Sequence, residues 1–332
     1  KQTKNFILIL LIHQVLFSAY PDPIFGKNGM IVSTSKQASE AGIEILKKGG
    51  NAIDAAVAVG FALAVTSSSD GNIGGGGFLV ASLANGNSFT IDHREKAPIS
   101  ANKDMFLNDS GNVVPGMSLY SRASSGVPGT VDGLIRALED HGSENITLRE
   151  VLNPAIVLAE RGFFLSHYEA SRFNSYKDFF LRNEAASKIF VRKDKKPWKK
   201  GDKFIQKDLA KTLKRIARYG RDGFYKGPVA KLIENEMKRG NGLITLEDLE
   251  NYSSKYRSPV KGTYKNFKII SMGPPSSGGT LLINMLNMLE FYPMDTIGWN
   301  SSDYIHIKTE VERRAYADRA EHMGDPDFWD VP

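Results

Sequence analysis

Cysteine is absent from the 332-residue sequence. Disulfides, zinc–thiolate sites and a cysteine nucleophile are thereby excluded within it. Histidine is scarce, with six residues, and none forms an HxxxH or HExxH pair, so a dedicated metal site has little support. Beyond the N-terminus, long apolar runs are also missing. Ala52–Val65 is apolar nearly throughout, but Asp54 interrupts it and it is only 14 residues long. That is too short to span a membrane and suits a helix buried in a core. The whole sequence, 41% hydrophobic and 24% charged, is far from the composition of disordered chains. The length supports a large core, in one domain or two.

At the N-terminus, Lys1 and Lys4 precede the apolar run Phe6–Ile12, which continues through Val15–Phe17 to the small residues Ser18 and Ala19. A basic region, an apolar region and a small-residue exit are the layout of a secretory signal. Residues 1–19 are expected to be a signal peptide, cut between Ser18 and about Tyr20, with the mature protein secreted or periplasmic and without a membrane span. The formal charge is +6 from 43 basic and 37 acidic residues; without Lys1 and Lys4 it is 41 − 37 = +4. Much of the excess lies in Arg192–Lys203, RKDKKPWKKGDK. A patch for anionic surfaces or nucleic acid and a plain solvated loop both fit this run. No aromatic ladder or recognition motif accompanies it, which favours the loop and no nucleic-acid partner.

Gly29–Thr34 reads as a short strand, and Ser35 as the cap of a helix with Ala38, Ala41, Ile45 and Leu46 on one face. Gly49–Gly50 stops that helix, and Asn51 caps the next. Phe78–Leu83 and Ser88–Asp92 flank Asn85–Gly86, a strong hairpin signal. Thr147–Glu150 and Thr245–Asp248 have capping-box spacing. Helices are also expected over Lys207–Tyr219, Pro228–Arg239, Thr280–Phe291 and Asp303–Met323, and a strand over Tyr264–Met272. Gly273–Gly279 must be a shaped loop. The pattern predicts a layered α+β fold rather than a βαβ repeat.

Several segments have chemical potential. Gly74–Gly77 precedes a strand with no lysine following, which points to close backbone packing near a site rather than phosphate binding. Arg94 leaves a strand between His93 and Glu95. Its guanidinium could hold a carboxylate through two parallel hydrogen bonds, or could simply pair with Glu95 or Asp92. Ser276 and Ser277 lack the GxSxG elbow of a serine nucleophile. The acids around Asp318, Glu321, Asp325 and Asp327 could ligate a hard cation, or form the polar face and cap of the last helix. These residues alone do not define a reaction.

Taken in order, the motifs say more. NAIDAAVA (Asn51–Ala58), GNIGGGGF (Gly71–Phe78), DHREKAP (Asp92–Pro98), GVPGTVDG (Gly126–Gly133), GLITLEDL (Gly242–Leu249), PPSSGG (Pro274–Gly279) and YADRAEHMGDPDF (Tyr316–Phe328) together resemble the large-subunit part of the γ-glutamyltransferase family. The resemblance covers about residues 26–332, which are expected to form an incomplete large-subunit domain. It implies an N-terminal-nucleophile hydrolase with an αββα sandwich, present only in part. A precursor would cut itself, and the threonine opening the small subunit would attack the γ-glutamyl amide, its own α-amine taking the proton. Glutathione or another γ-glutamyl compound would be the donor, and water, an amino acid or a peptide the acceptor. No metal or organic cofactor is implied. Arg94 matches the family's arginine that binds the donor α-carboxylate. Thr66 and Thr130 do not match the processing site, so the nucleophile is expected beyond Pro332 and the 332 residues alone are expected to be inactive. A same-fold acylase with another acyl preference and a non-catalytic secreted binding protein are the competing readings.

Overall fold

The computed structural model describes residues 23–332 of the chain, so the expected signal peptide at 1–19 lies outside the described residues. Two units divide the chain, Lys1–Val32 and Ser33–Pro332. Residues 23–32 of the first carry no helix or strand. The strand expected over Gly29–Thr34 therefore does not form. Met30 and Val32 are exposed, Val32 to 84%; a strand needs a ladder partner as well as β-propensity.

In the second unit, Ser35 caps helix α1 (Lys36–Lys47), accepting the Ala38 N–H. Helix α2 (Ala52–Thr66) starts with a full capping box: Asn51 accepts the Ile53 and Asp54 N–H groups, and the Asp54 carboxylate accepts the Asn51 N–H at 2.7 Å. Ile53, Val57, Phe61 and Val65 of α2 are buried. Each such side chain contributes roughly 1.5–3 kcal/mol by leaving water. Three helices cover α2: α1, α3 (Thr130–His141) and α4 (Leu148–Arg161). At Gly60 a side chain would meet the Leu134 methyls of α3 at 2.9 Å, so glycine lets the two helices close up. Helix α5 (Lys207–Tyr219) packs on α4.

The sheet that carries the site has three antiparallel strands in the order β1 (Phe78–Ser82), β2 (Ser88–Asp92), β3 (Lys255–Arg257). The predicted hairpin is correct, with Phe78 opposite Asp92 and Ser82 opposite Ser88. Strand β2 is central; Thr90 faces Arg257 and Asp92 faces Lys255. Helix α6 (Gly227–Lys238) and then α7 (Leu246–Asn251), with its predicted Thr245–Asp248 box, lead the chain into β3.

The single strand expected over Tyr264–Met272 is the second half of another hairpin. Strands β4 (Val260–Tyr264) and β5 (Phe267–Ser271) pair antiparallel around Lys265, whose φ is +51°. Gly262 interrupts the side-chain alternation of β4, which hides the strand in the sequence. The missing side chain makes room for Ile283 of helix α8 (Gly278–Leu289), which would lie 2.6 Å from a Cβ at Gly262. Helix α9 (Ser302–His322) packs on α8.

Candidate active site

The ladder between β1 and β2 runs one pair past the strands: Gly77 and His93 exchange both main-chain hydrogen bonds, at 3.2 and 3.0 Å. The chain then turns, and Asp92 Oδ1 accepts the Arg94 N–H at 3.1 Å. Two glycines hold this turn from behind. A side chain at Gly76 would strike the His93 carbonyl oxygen and come within 2.8 Å of the Glu95 nitrogen. One at Gly129 would strike the same carbonyl and the Tyr252 hydroxyl. Gly75 O also accepts the N–H groups of Gly129 and Thr130, at 2.8 and 3.0 Å. The glycine-rich segment thus packs backbone to backbone behind Arg94, as its sequence suggested.

Tyr252 completes the clamp by donating its hydroxyl to Arg94 O at 2.8 Å. Its ring stacks on Tyr225, 5.6 Å between centroids and 6° between planes. Burial pushes both phenols well above the usual tyrosine range, so both remain neutral donors.

The Arg94 side chain is 58% exposed and lies over the Phe78 ring, 5.7 Å from its centroid. Glu95 is its nearest acid, with Nε to Oε2 at 3.3 Å. An ion pair this open to water is weak, about 0–1 kcal/mol, and leaves the guanidinium free to turn to a ligand. Asp92 binds the Arg94 backbone rather than its guanidinium.

Arg94 opens into a cleft of about 320 Å³. Its walls balance four cations, Arg94, Lys96, Lys255 and Arg257, against four acids, Asp92, Glu95, Asp325 and Asp327; Pro275 and Phe328 add apolar surface. Burial, with the nearby Lys255, pulls the Lys96 ammonium below its usual pKa. Hydrogen bonds from Arg257 and Lys255 hold the Asp327 carboxyl down at about 2. Three sequence motifs meet here: DHREKAP, PPSSGG and GDPDF. A larger groove of about 480 Å³ lies between α4 and α5, but exposed Arg149, Lys214 and Arg218 line it and no motif reaches it. The Arg94 cleft has the few convergent polar groups beside apolar surface that a binding site requires.

Other candidates resolve into structural roles. Ser277 accepts from Arg319 Nε at 3.0 Å, and Ser276 from the Gly278 N–H at 3.2 Å. Arg192 of the basic loop is tied to Asp194 at 3.0 Å and Asp202 at 2.5 Å. Asp318 accepts from Asn284 on α8. Asp325 and Asp327 lie beyond α9 rather than capping it, and Asp327 is held by Lys255 and Arg257. Among the described residues, no group of three or more acidic or histidine side chains is placed to hold a metal ion. Arg257, Asp132 and Tyr252 escaped the sequence reading, since each acts on residues far away in the chain.

Residues 38–332 match the family described as gamma-glutamyltranspeptidase. The chain belongs to that family. Among curated relatives of this gamma-glutamyltranspeptidase family chain, it is 46% identical over 310 residues to the glutathione hydrolase proenzyme of Escherichia coli. That match takes in 93% of the chain and 53% of the relative. The chain spans about half the length of the curated relatives it matches. Its structure superposes on the crystal structure of Helicobacter pylori gamma-glutamyltranspeptidase with a TM-score of 0.90 at 49% identity, covering 93% of this chain and 88% of that one. The gamma-glutamyltranspeptidase of Pseudomonas nitroreducens gives 0.86 at 40% identity, covering 93% and 90%. The α+β class and the N-terminal-nucleophile hydrolase fold expected from the motifs are those of these neighbours.

Proposed function

We propose that the complete protein containing these residues transfers γ-glutamyl groups from glutathione or related donors to water, amino acids or peptides. The observation that carries this reading is Arg94. A guanidinium held by its backbone on three sides, but open at its tip, is built to receive a carboxylate. Two parallel hydrogen bonds to the donor α-carboxylate fix one end of the γ-glutamyl chain and so the position of its amide carbon.

The reacting group in this reading is a threonine supplied by the part of the family sequence outside these 332 residues. Its hydroxyl oxygen forms an ester bond to the γ-carbonyl carbon, and its α-amine takes the hydroxyl proton. The C–N bond breaks as the leaving amine gains a proton. Water or an acceptor amine then displaces the threonine oxygen and releases free glutamate or a new γ-glutamyl amide. The partner is the small subunit of the same precursor, and the reaction needs no metal or organic cofactor. Among the described residues no helix is long and apolar enough to cross a membrane. With the signal reading of residues 1–19, that supports a secreted or periplasmic site of action.

The test is hydrolysis of a chromogenic γ-glutamyl anilide. The complete protein should release the chromophore and residues 1–332 alone should not. Turnover by the 332 residues alone, or none by the complete protein, overturns the reading.

A further inference from the structure

We infer that Arg257 is a positioning residue for Arg94, acting through Asp92; the inference rests on the α-carboxylate role proposed for Arg94. In the antiparallel register Thr90 faces Arg257, so Asp92 is the diagonal neighbour of Arg257, within reach of a long side chain. Arg257 Nε lies 2.9 Å from Asp92 Oδ2. The other oxygen of the same carboxylate, Oδ1, accepts the Arg94 N–H. One carboxylate therefore spans the two arginines. It meets the side chain of one and the backbone of the other.

The far end of Arg257 is held as firmly. Its Nη1 and Nη2 donate to the two oxygens of Asp327 at 3.1 and 3.0 Å, and Lys255 Nζ adds a contact to Oδ2 at 2.7 Å. A planar guanidinium fits such a two-sided clamp, whereas an ammonium provides a point charge. The side chains of Arg257 and Asp92 are 15% and 9% exposed. Their pairing is shielded from solvent, unlike the open contact of Arg94 with Glu95.

The consequence is a relay of orientation. Asp327 and Asp92 fix Arg257 from both ends, and Arg257 in turn fixes the rotamer of Asp92. Asp92 sets the turn at Arg94, and that turn aims the Arg94 guanidinium along the cleft. Without Arg257, the Asp92 carboxylate would rotate toward water and the Arg94 turn would lose one of its holds. Arg257 itself lines the cleft, but its Nε donates to Asp92 and its Nη1 and Nη2 donate to Asp327.

A double-mutant cycle in the complete protein tests this, with Arg94→Ala, Arg257→Gln and the pair, read as KM and kcat for a γ-glutamyl anilide. Arg257→Gln should raise donor KM about tenfold and change kcat less than about twofold, because binding rather than chemistry is lost. In the Arg94→Ala background the same change should have almost no further effect on KM, since a residue acting through Arg94 has nothing left to position. Arg257→Lys, which keeps the charge near Asp92 but loses the fork, should lie between wild type and Arg257→Gln. It also serves if Arg257→Gln does not fold. Full additivity, an unchanged KM, or a loss confined to kcat would overturn the inference. The two readings fail differently: unchanged kinetics in Arg94→Ala would remove the carboxylate role of Arg94, and with it this inference. A raised KM in Arg94→Ala with none in Arg257→Gln removes the positioning role alone.

Discussion

Asp132 Oδ2 accepts the Ser254 N–H at 2.7 Å across 122 residues of sequence, while its Oδ1 accepts Nε of Arg221 at the same distance. Helix α3 is thereby pinned to the segment from which Tyr252 reaches the Arg94 carbonyl. Arg221 also donates to the carbonyls of Glu250 and Tyr252, so its charge joins the same junction. The Asp132 side chain is 6% exposed.

Removing the buried Asp132 carboxylate leaves the buried Ser254 N–H without its acceptor and takes from Arg221 its closest acid. Asp132→Ala should therefore lower stability by about 3 kcal/mol, measured by urea unfolding. Lys36→Ala is the contrast. Its pair with Glu40, 3.8 Å apart on an exposed face, should be worth less than about 0.5 kcal/mol.

Arg94→Lys in the complete protein should raise donor KM roughly 30-fold, about 2 kcal/mol, because a bidentate fork becomes a single point charge. The turnover number should fall less. Steady-state kinetics with the chromogenic donor give both values, and an unchanged KM would make Arg94 a surface residue.

Gly76→Ala tests the backbone clamp. The added methyl has no space against the His93 carbonyl and the Glu95 nitrogen, both main-chain atoms that cannot swing aside. We expect a loss of about 1–3 kcal/mol from overpacking, with a raised donor KM because the displaced segment carries Arg94. Gly86→Ala, where nothing lies within 4 Å but φ is +85°, should cost only backbone strain of about 1 kcal/mol and leave KM alone.

Acid should weaken the cleft through Asp327. Hydrogen bonds from Arg257 and Lys255 lower its carboxyl from an ordinary 3.8 to about 2. As pH falls, the unfolded chain takes up this proton before the folded one. The contribution of Asp327 is complete above about pH 4 and disappears as pH falls toward 2. Unfolding midpoints measured from pH 5 to pH 3 should fall less steeply for Asp327→Asn than for the parent. Parallel slopes would show that the carboxylate contributes nothing in this range.

Much of the fold was legible because its signals are local. The boxes Thr147–Glu150 and Thr245–Asp248 are formed as their spacing predicts, and Asn51 caps its helix as expected, with Asp54 completing a box there. The hairpin signalled by Asn85–Gly86 forms, with its two strands paired antiparallel. Helix ends and tight turns depend on residues within a few positions of one another, which a sequence displays directly. Where strand pattern and ladder partner did not coincide, the reading failed. Gly29–Thr34 has strand-like residues but pairs with no strand among the described residues, whereas Val260–Tyr264 has a weak pattern and an adjacent partner in Phe267–Ser271.

The same division holds at the site. The sequence alone determined the family, through seven motifs in order, and singled out Arg94 beside a glycine-rich segment. Only the tertiary structure decided how Arg94 is held. Asp92 and Arg257 are 165 residues apart, and Tyr252 and Arg94 are 158 apart. No periodicity or cap links positions so distant. They meet because β3 pairs with β2 and because Gly76 and Gly129 let the backbone close around the turn. The ordered motifs could point to Arg94, but sheet register and the space left by two missing side chains determine how its backbone is held.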